Sequence, residues 1–485
     1  MTRTRIGVVS LGCSKNLVDT EVMLGHLDSA GCEFVQDPAE ADVLVVNTCG
    51  FIDAAREESV RTILDAAALK RNGRLKRLVV AGCMVQRYRG ELERELSGEV
   101  DAFVGLDELD AIVRAAGVVP GSPAAPRSDL PLLARGPGAP RPGSAPRAGD
   151  DVRPSRYLYD ARTPRRLATP PWTAFVKIAE GCDHTCSFCA IPAFRGAFRS
   201  RSVNDIVEEA AALAQRGVRE INLIAQDSSQ YGRDRGDRHG LAGLLRHLDA
   251  VAGLRWIRVH YLYPNSVGDD LVEAIAGLPR VVKYVDVPLQ HADAAVLKRM
   301  RRGGSASSHR DLIERFRSAI PGVALRSTFI VGFPGETEAE FAALLDFVGE
   351  ARLDHLGVFT YSHEEQTSAR QLADDVPAAV KTERRERLME LQQHVAFERN
   401  SARIGTTSEV LVEGAHPETE HLLVGRMPTQ APDVDGQVLI NDGFVLDAGS
   451  GEERLLPHAR PGAFARVALT ETAGYDVVGR IVGAA

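Results

Sequence analysis

Three cysteines fall within eight positions of "GCDHTCSFCAIPAFRG": Cys182, Cys186 and Cys189, spaced C-x3-C-x2-C, in a chain with seven cysteines. Thiolates bind metals and clusters, so a compact loop bearing three of them points to a metal or iron–sulfur centre. A closed zinc site takes four ligands, usually from paired C-x2-C knuckles, and His184 inside the loop is the candidate for the fourth place. Iron–sulfur clusters are also normally held by four thiolates. Three would leave one iron open to a substrate or cofactor, as the loop of a reactive cluster does.

Three further cysteines each follow an apolar run: Cys13 in "SLGCSKN", Cys49 in "NTCGF" and Cys83 in "AGCMVQ". The runs "RIGVVSL", "DVLVVN" and "RLVVAG" alternate with helical patterns, the signature of a parallel α/β sheet. Such sheets bring the carboxyl ends of their strands to one edge, where ligands bind, so these thiols are expected to converge. Cys32, in "GCEFV", precedes its strand and reads as a small buried hydrophobe at the far edge.

The loop at Cys182 directly follows the first of six strand candidates: "WTAFVKI", "EINLIAQ", "RWIRVHYL", "KYVDVPLQ", "ALRSTFIVG" and "HLGVFTY". Helical segments separate them, which predicts an incomplete (β/α)6 barrel with its site at the strand carboxyl ends. "PAAVKTERRERLMELQQHVAFERN" predicts one long helix whose charged face is solvated. Residues 404–485 change to short alternating strands with Gly and Asn-Asp-Gly turns, a small β-barrel. Residues 118–171 hold twelve of the chain's 25 prolines, which reads as a flexible linker. The fold expected is therefore α/β, with an N-terminal domain over 1–117, a linker over 118–168, a barrel over 169–400 and a β-barrel over 401–485. A net charge of −8 argues against a generically basic nucleic-acid binder. The absence of a leader-like or membrane-length apolar run leads us to expect a cytoplasmic chain with no membrane contact.

C-x3-C-x2-C at the first strand end of a partial barrel resembles the radical S-adenosylmethionine superfamily. That resemblance implies that S-adenosylmethionine occupies the open iron through its amino and carboxylate groups. Phe188 fits the superfamily's aromatic position between the last two cysteines. "STFIVGFPGET" is similar to its G-x-I-x-G-x-x-E element, with Ile330, Gly332 and Glu336 in register and Ser327 or Thr328 where the first Gly is usual. Gln226 and Gln290, at the second and fourth strand ends beside His291, complete the candidate cofactor contacts. No side-chain acid or base is assigned, because the hydrogen on an unactivated carbon is removed by cofactor chemistry.

Together with the N-terminal trio and the last β-barrel, which resembles a TRAM domain, the chain resembles the methylthiotransferases. The resemblance implies two 4Fe–4S clusters, an auxiliary one on Cys13, Cys49 and Cys83 and a cofactor-binding one on Cys182, Cys186 and Cys189. It also implies two roles for S-adenosylmethionine, as radical source and methyl donor, and an electron donor such as flavodoxin or ferredoxin. One branch of the family modifies an aspartate of a small-subunit ribosomal protein and the other an adenosine in tRNA. Residues 404–485 carry twelve Asp or Glu against five Arg and no Lys, a net of −7, which repels phosphate and suits a basic protein. "IAQDSSQYGRD" is similar to the ribosomal-protein branch's QDTS-x-YG, with Ser228 for Thr. The protein acceptor is therefore expected, with tRNA as the alternative. "YSHEEQTSA" departs from the family's YSPEEGTPA at His363, Gln366 and Ser368.

Overall fold

The computed structural model describes residues 3–118, 153–446 and 453–485. Most of the proline-rich stretch lies outside the described residues. The chain forms two compact units, one of Met1–Ala168 with Glu180–His184 and Ala190–Arg199, the other of Thr169–Ala179, Thr185–Cys189 and Ser200–Ala485.

The first unit is built on β1 (Arg5–Ser10), β2 (Glu33–Phe34), β3 (Val43–Thr48), β4 (Arg77–Gly82) and β5 (Ala102–Val104). They form one parallel sheet in the order β2-β1-β3-β4-β5. The central strand β3 is buried along its whole length, which explains its uninterrupted apolar run. Helices α1 (Ser14–Ser29), α2 (Asp53–Arg71) and α3 (Cys83–Leu96) follow β1, β3 and β4.

Residues 153–168, expected to belong to a flexible linker, are instead bound to this unit. Asp107 accepts hydrogen bonds from the Ser155 hydroxyl and from the backbone N–H groups of Arg156 and Tyr157. Arg165 forms a buried pair with Glu21 at 2.5 Å, and Tyr159 is buried. Composition alone hides this, because the ordering comes from single polar partners rather than from an apolar pattern.

In the second unit all six expected strands are present: β6 (Thr173–Lys177), β7 (Glu220–Ile224), β8 (Trp256–Val259), β9 (Tyr284–Asp286), β10 (Ala324–Val331) and β11 (His355–Thr360). They pair in parallel as two three-stranded sheets, β6-β7-β8 and β9-β10-β11, joined by a bridge between Ile257 and Val281. Five helices of nine or more residues, α4 (Val203–Gln215), α5 (Gly240–Asp249), α6 (Asp269–Gly277), α7 (Ala306–Ala319) and α8 (Glu338–Ala351), lie between them. The long helix α9 (Ala378–Ser401) begins after Pro377 as expected. Its charged face is not simply solvated. Lys381, Arg384 and Gln392 are buried, with Arg384 donating to the Glu336 carbonyl at 3.0 Å and Gln392 to the Leu353 carbonyl at 3.0 Å. Long polar side chains bury their stems and spend their polar ends on backbone groups that the barrel leaves open.

Five strands of the C-terminal region, β12 (Thr407–His416), β13 (Thr419–Arg426), β14 (Val438–Ile440), β15 (Phe464–Ala473) and β16 (Asp476–Ala484), close into a barrel. It packs on the amino ends of the (β/α)6 strands. Arg426 reaches Glu220, the first residue of β7, at 2.6 Å, and Trp256 at the start of β8 meets Phe464 edge-on with ring centroids 5.0 Å apart. Asp435 accepts from the Tyr284 hydroxyl at the start of β9, and Glu409 from the Trp256 indole.

Candidate cluster and cofactor site

Cys13 caps α1, Cys49 follows β3 and Cys83 opens α3, so all three lie at the carboxyl edge of the parallel sheet. One side chain braces their loops. The Asn16 amide donates to the carbonyl of Leu11 at 2.7 Å and of Thr48 at 3.3 Å, and the Cys83 thiol approaches its oxygen at 3.7 Å. Gly12 holds φ +88 and a Cβ there would collide with Cys49. Gly82 holds φ +99 where a Cβ would meet Asn47 and the Thr48 backbone, so both turns need glycine to bring the thiols together.

The three thiols feel one another electrostatically, as convergence requires. Burial pushes the Cys83 thiol up to about 12, with Arg195 opposing and Cys13, Cys49 and Asp19 adding to the rise. Burial also raises Cys49. Cys13 keeps an exposed edge; crowding by its neighbours opposes its ionisation, but Lys15, Arg195 and the N–H groups of Asn16 and Lys15 outweigh that and lower it. A helix amino terminus favours thiolate in this way. One thiol shifted down and two shifted up in a dry pocket beside a guanidinium fit a cluster whose thiolates are stabilised by binding. Cys32 is buried just before β2, on the opposite edge, as expected.

Arg195 was not singled out from the sequence. It ends a short helix, Ile191–Arg195, and donates to Cys83 Sγ at 2.9 Å, to Asp19 at 3.0 Å and to Glu180 at 2.9 Å.

In the (β/α)6 barrel, Phe188 and Ile330 flank one apolar cluster of Val296, Met300, Phe333, Tyr361 and Ala369. The Ser187 hydroxyl and N–H bond the carbonyls of Arg299 and Met300, and the Ser187 carbonyl accepts from Ala369, which fixes the loop between Cys186 and Cys189. Arg302 places Nη1 3.6 Å from Cys186 Sγ and stacks on Tyr263 at 4.4 Å. Gln290 sits at φ +71, unusual for a residue with a side chain, and bridges to Phe329. Gln226 is half-buried just after β7.

Glu336 is buried, and its carboxylate accepts from the N–H groups of Gly332 and Phe333. It therefore braces the turn that carries Ile330 and Gly332. His291 Nδ1 accepts from the Asp293 N–H, so Nε2 carries the proton, and it lies 3.9 Å from Glu336. Gln366, at the departure from the family's glycine, holds φ +61, the conformation that a glycine would supply without strain.

Family models match three parts of the chain: an uncharacterized protein family, UPF0004, over residues 5–105, the radical SAM superfamily over 176–348 and a TRAM domain over 404–482. The ribosomal protein uS12 methylthiotransferase RimO of Anaeromyxobacter sp. (strain K) is 48% identical over 99% of this chain and 93% of its own. The chain belongs to the RimO family. A second RimO, from Solibacter usitatus (strain Ellin6076), is 47% identical over 99% of this chain and 95% of its own. Among solved structures, the radical S-adenosylmethionine methyltransferase TsrM of Kitasatospora setae, with cobalamin and a [4Fe–4S] cluster bound, aligns with a TM-score of 0.50. It covers 84% of this chain and 76% of its own at 16% identity, a likeness of fold. The parallel N-terminal sheet, the partial barrel and the closed C-terminal barrel are thus the fold of a RimO-family radical SAM enzyme.

Proposed function

We propose that this chain inserts a methylthio group at the β-carbon of an aspartate of ribosomal protein uS12, in the cytoplasm. Near-full-length similarity to RimO proteins carries the reading, supported by three thiols gathered at one sheet edge and three more on the first barrel loop. Cys13, Cys49 and Cys83 would hold one 4Fe–4S cluster, and Cys182, Cys186 and Cys189 a second that binds S-adenosylmethionine. When bound, these groups supply the radical, the methyl group and the sulfur-transfer chemistry. The chain's own residues position and shield. Phe188 and Ile330 offer an apolar wall, Glu336 keeps the Gly332 turn closed, and Gln226 and Gln290 present polar groups at strand ends. A flavodoxin- or ferredoxin-type protein would deliver the electron. The domain limits 1–117, 169–400 and 401–485 belong to the same proposal.

The C-terminal barrel would take part in recognising the basic uS12, with less acidity than its composition suggests. Glu409, Glu413 and Asp435 are turned to this chain's own Arg255, Arg426 and Arg326, which leaves exposed acids such as Glu418, Asp433 and Glu471 for a partner. The anaerobically reconstituted and reduced chain, offered uS12 and tRNA together, is expected to add about 46 Da to a uS12 peptide. Modification of the tRNA instead would overturn the acceptor, and failure to cleave S-adenosylmethionine would overturn the chemistry.

A further inference from the structure

Arg195 is 4% exposed, and its guanidinium is divided between carboxylates and a sulfur. Nη1 faces both oxygens of Glu180 at 2.9 and 3.0 Å, while Nη2 is shared between Asp19 at 3.0 Å and Cys83 Sγ at 2.9 Å. Glu180 fixes one arm of the fork, and Asp19 competes with the sulfur for the other. Cys83 is itself 6% exposed, so the contact is not diluted by water. Hydrogen bonds to cluster sulfurs and nearby charge are main determinants of an iron–sulfur potential, and a charged N–H is about twice as strong a donor as a neutral one.

We propose that Arg195 tunes the reduction potential of the cluster held by Cys13, Cys49 and Cys83, through its N–H···S bond to Cys83, with Asp19 as the opposing acceptor. This rests on the reading that the trio carries a cluster. Arg195 draws electron density from the Cys83 sulfur and so favours the electron-richer state. Asp19 draws the same N–H away, so the two residues pull in opposite directions.

The test uses the full chain with Cys182→Ala, Cys186→Ala and Cys189→Ala, reconstituted anaerobically, so that only the auxiliary cluster titrates. Midpoint potential is followed by electron paramagnetic resonance, with iron content measured on each sample. Arg195→Met is expected to disfavour reduction at least tenfold, about 59 mV for one electron. Asp19→Asn is expected to shift the potential upward, and Arg195→Lys to recover part of the loss. If Arg195→Met loads no iron, Arg195→Lys decides, because it keeps the charge and changes the N–H···S bond: an unmoved potential there overturns the proposal. Unmoved potentials, or shifts of the same sign in Arg195→Met and Asp19→Asn, overturn the proposal alone. A parent chain that binds no iron overturns the cluster reading with it.

Discussion

Asn16 holds two cysteine-bearing loops with one amide, and its loss would leave the Leu11 and Thr48 carbonyls without that donor. On the proposed cluster reading, Asn16→Ala is expected to cost about 1–3 kcal/mol and to lower iron loading at Cys13, Cys49 and Cys83, read by iron analysis of the chain with Cys182, Cys186 and Cys189 replaced by alanine. His309 is a second informative residue. Burial drives its imidazole down to about 4, with Arg302 and His291 pushing the same way, against an ordinary 6.5. The folded chain keeps it neutral where the unfolded chain would protonate it, so stability is lost as pH falls from about 6.5 to about 4. His309→Phe, beside Phe347, should flatten that slope in urea midpoints measured at both ends of the window. At Gln366, φ +61 costs a side-chain-bearing residue about 1–2 kcal/mol, partly offset by glycine's unfolded-state entropy. Gln366→Gly should therefore raise the melting temperature slightly. The meeting of Cys13, Cys49 and Cys83 at one sheet edge was legible because each follows an apolar run that reads as a parallel strand. Asn16 and Arg195 were not, since one polar residue carries no periodic signal and its role exists only once distant loops meet.

At the scale of elements, the strands were readable because each is an apolar run of the right length, and their alternation with helices fixed the parallel order. Helix starts were also written locally: Thr337 accepts from the Glu340 N–H and Ser202 from that of Asp205. Thr337→Ala should cost about 1 kcal/mol, measured as a lower denaturant midpoint. The polar side of α9 was read as solvated because charge pattern does not reveal which guanidinium finds a buried acceptor. Arg384 does, at the Glu336 carbonyl and 3.4 Å from its carboxylate. Removing one partner of a buried ion pair typically costs 3–5 kcal/mol, so Arg384→Met should destabilise the chain by about that much. The same substitution loosens the Gly332 turn, which a calorimetric binding measurement with S-adenosylmethionine would register as weaker affinity. Residues 153–168 show the converse error, a proline- and arginine-rich sequence ordered by Asp107 and Glu21.

Within the second unit, the C-terminal barrel is fixed to the (β/α)6 wall by buried charge. Glu220, with no exposed side-chain surface, receives Arg426 and Arg258 and the Thr173 hydroxyl. Burial would raise its carboxyl, but the two arginines hold it down at about 2, below the ordinary 4.5. Its contribution is complete above about 4.5 and is lost as pH falls toward about 2, so acid should loosen this contact within that window. Glu220→Gln leaves two buried guanidiniums short of a counter-charge and should cost about 3–5 kcal/mol, read as earlier proteolysis of the C-terminal barrel. Sequence reading found both partners' domains but not their junction, because Glu220 opens a strand that otherwise reads as apolar. The junction also limits how the protein can be re-engineered. A C-terminal barrel transplanted from a relative would need a guanidinium at the place of Arg426 and a carboxylate at that of Asp435. Without them, the host wall keeps charges that no longer cancel. Chimeras designed to exchange acceptor preference should therefore carry the socket, Glu220, Arg258, Tyr284 and Arg326, along with the plug.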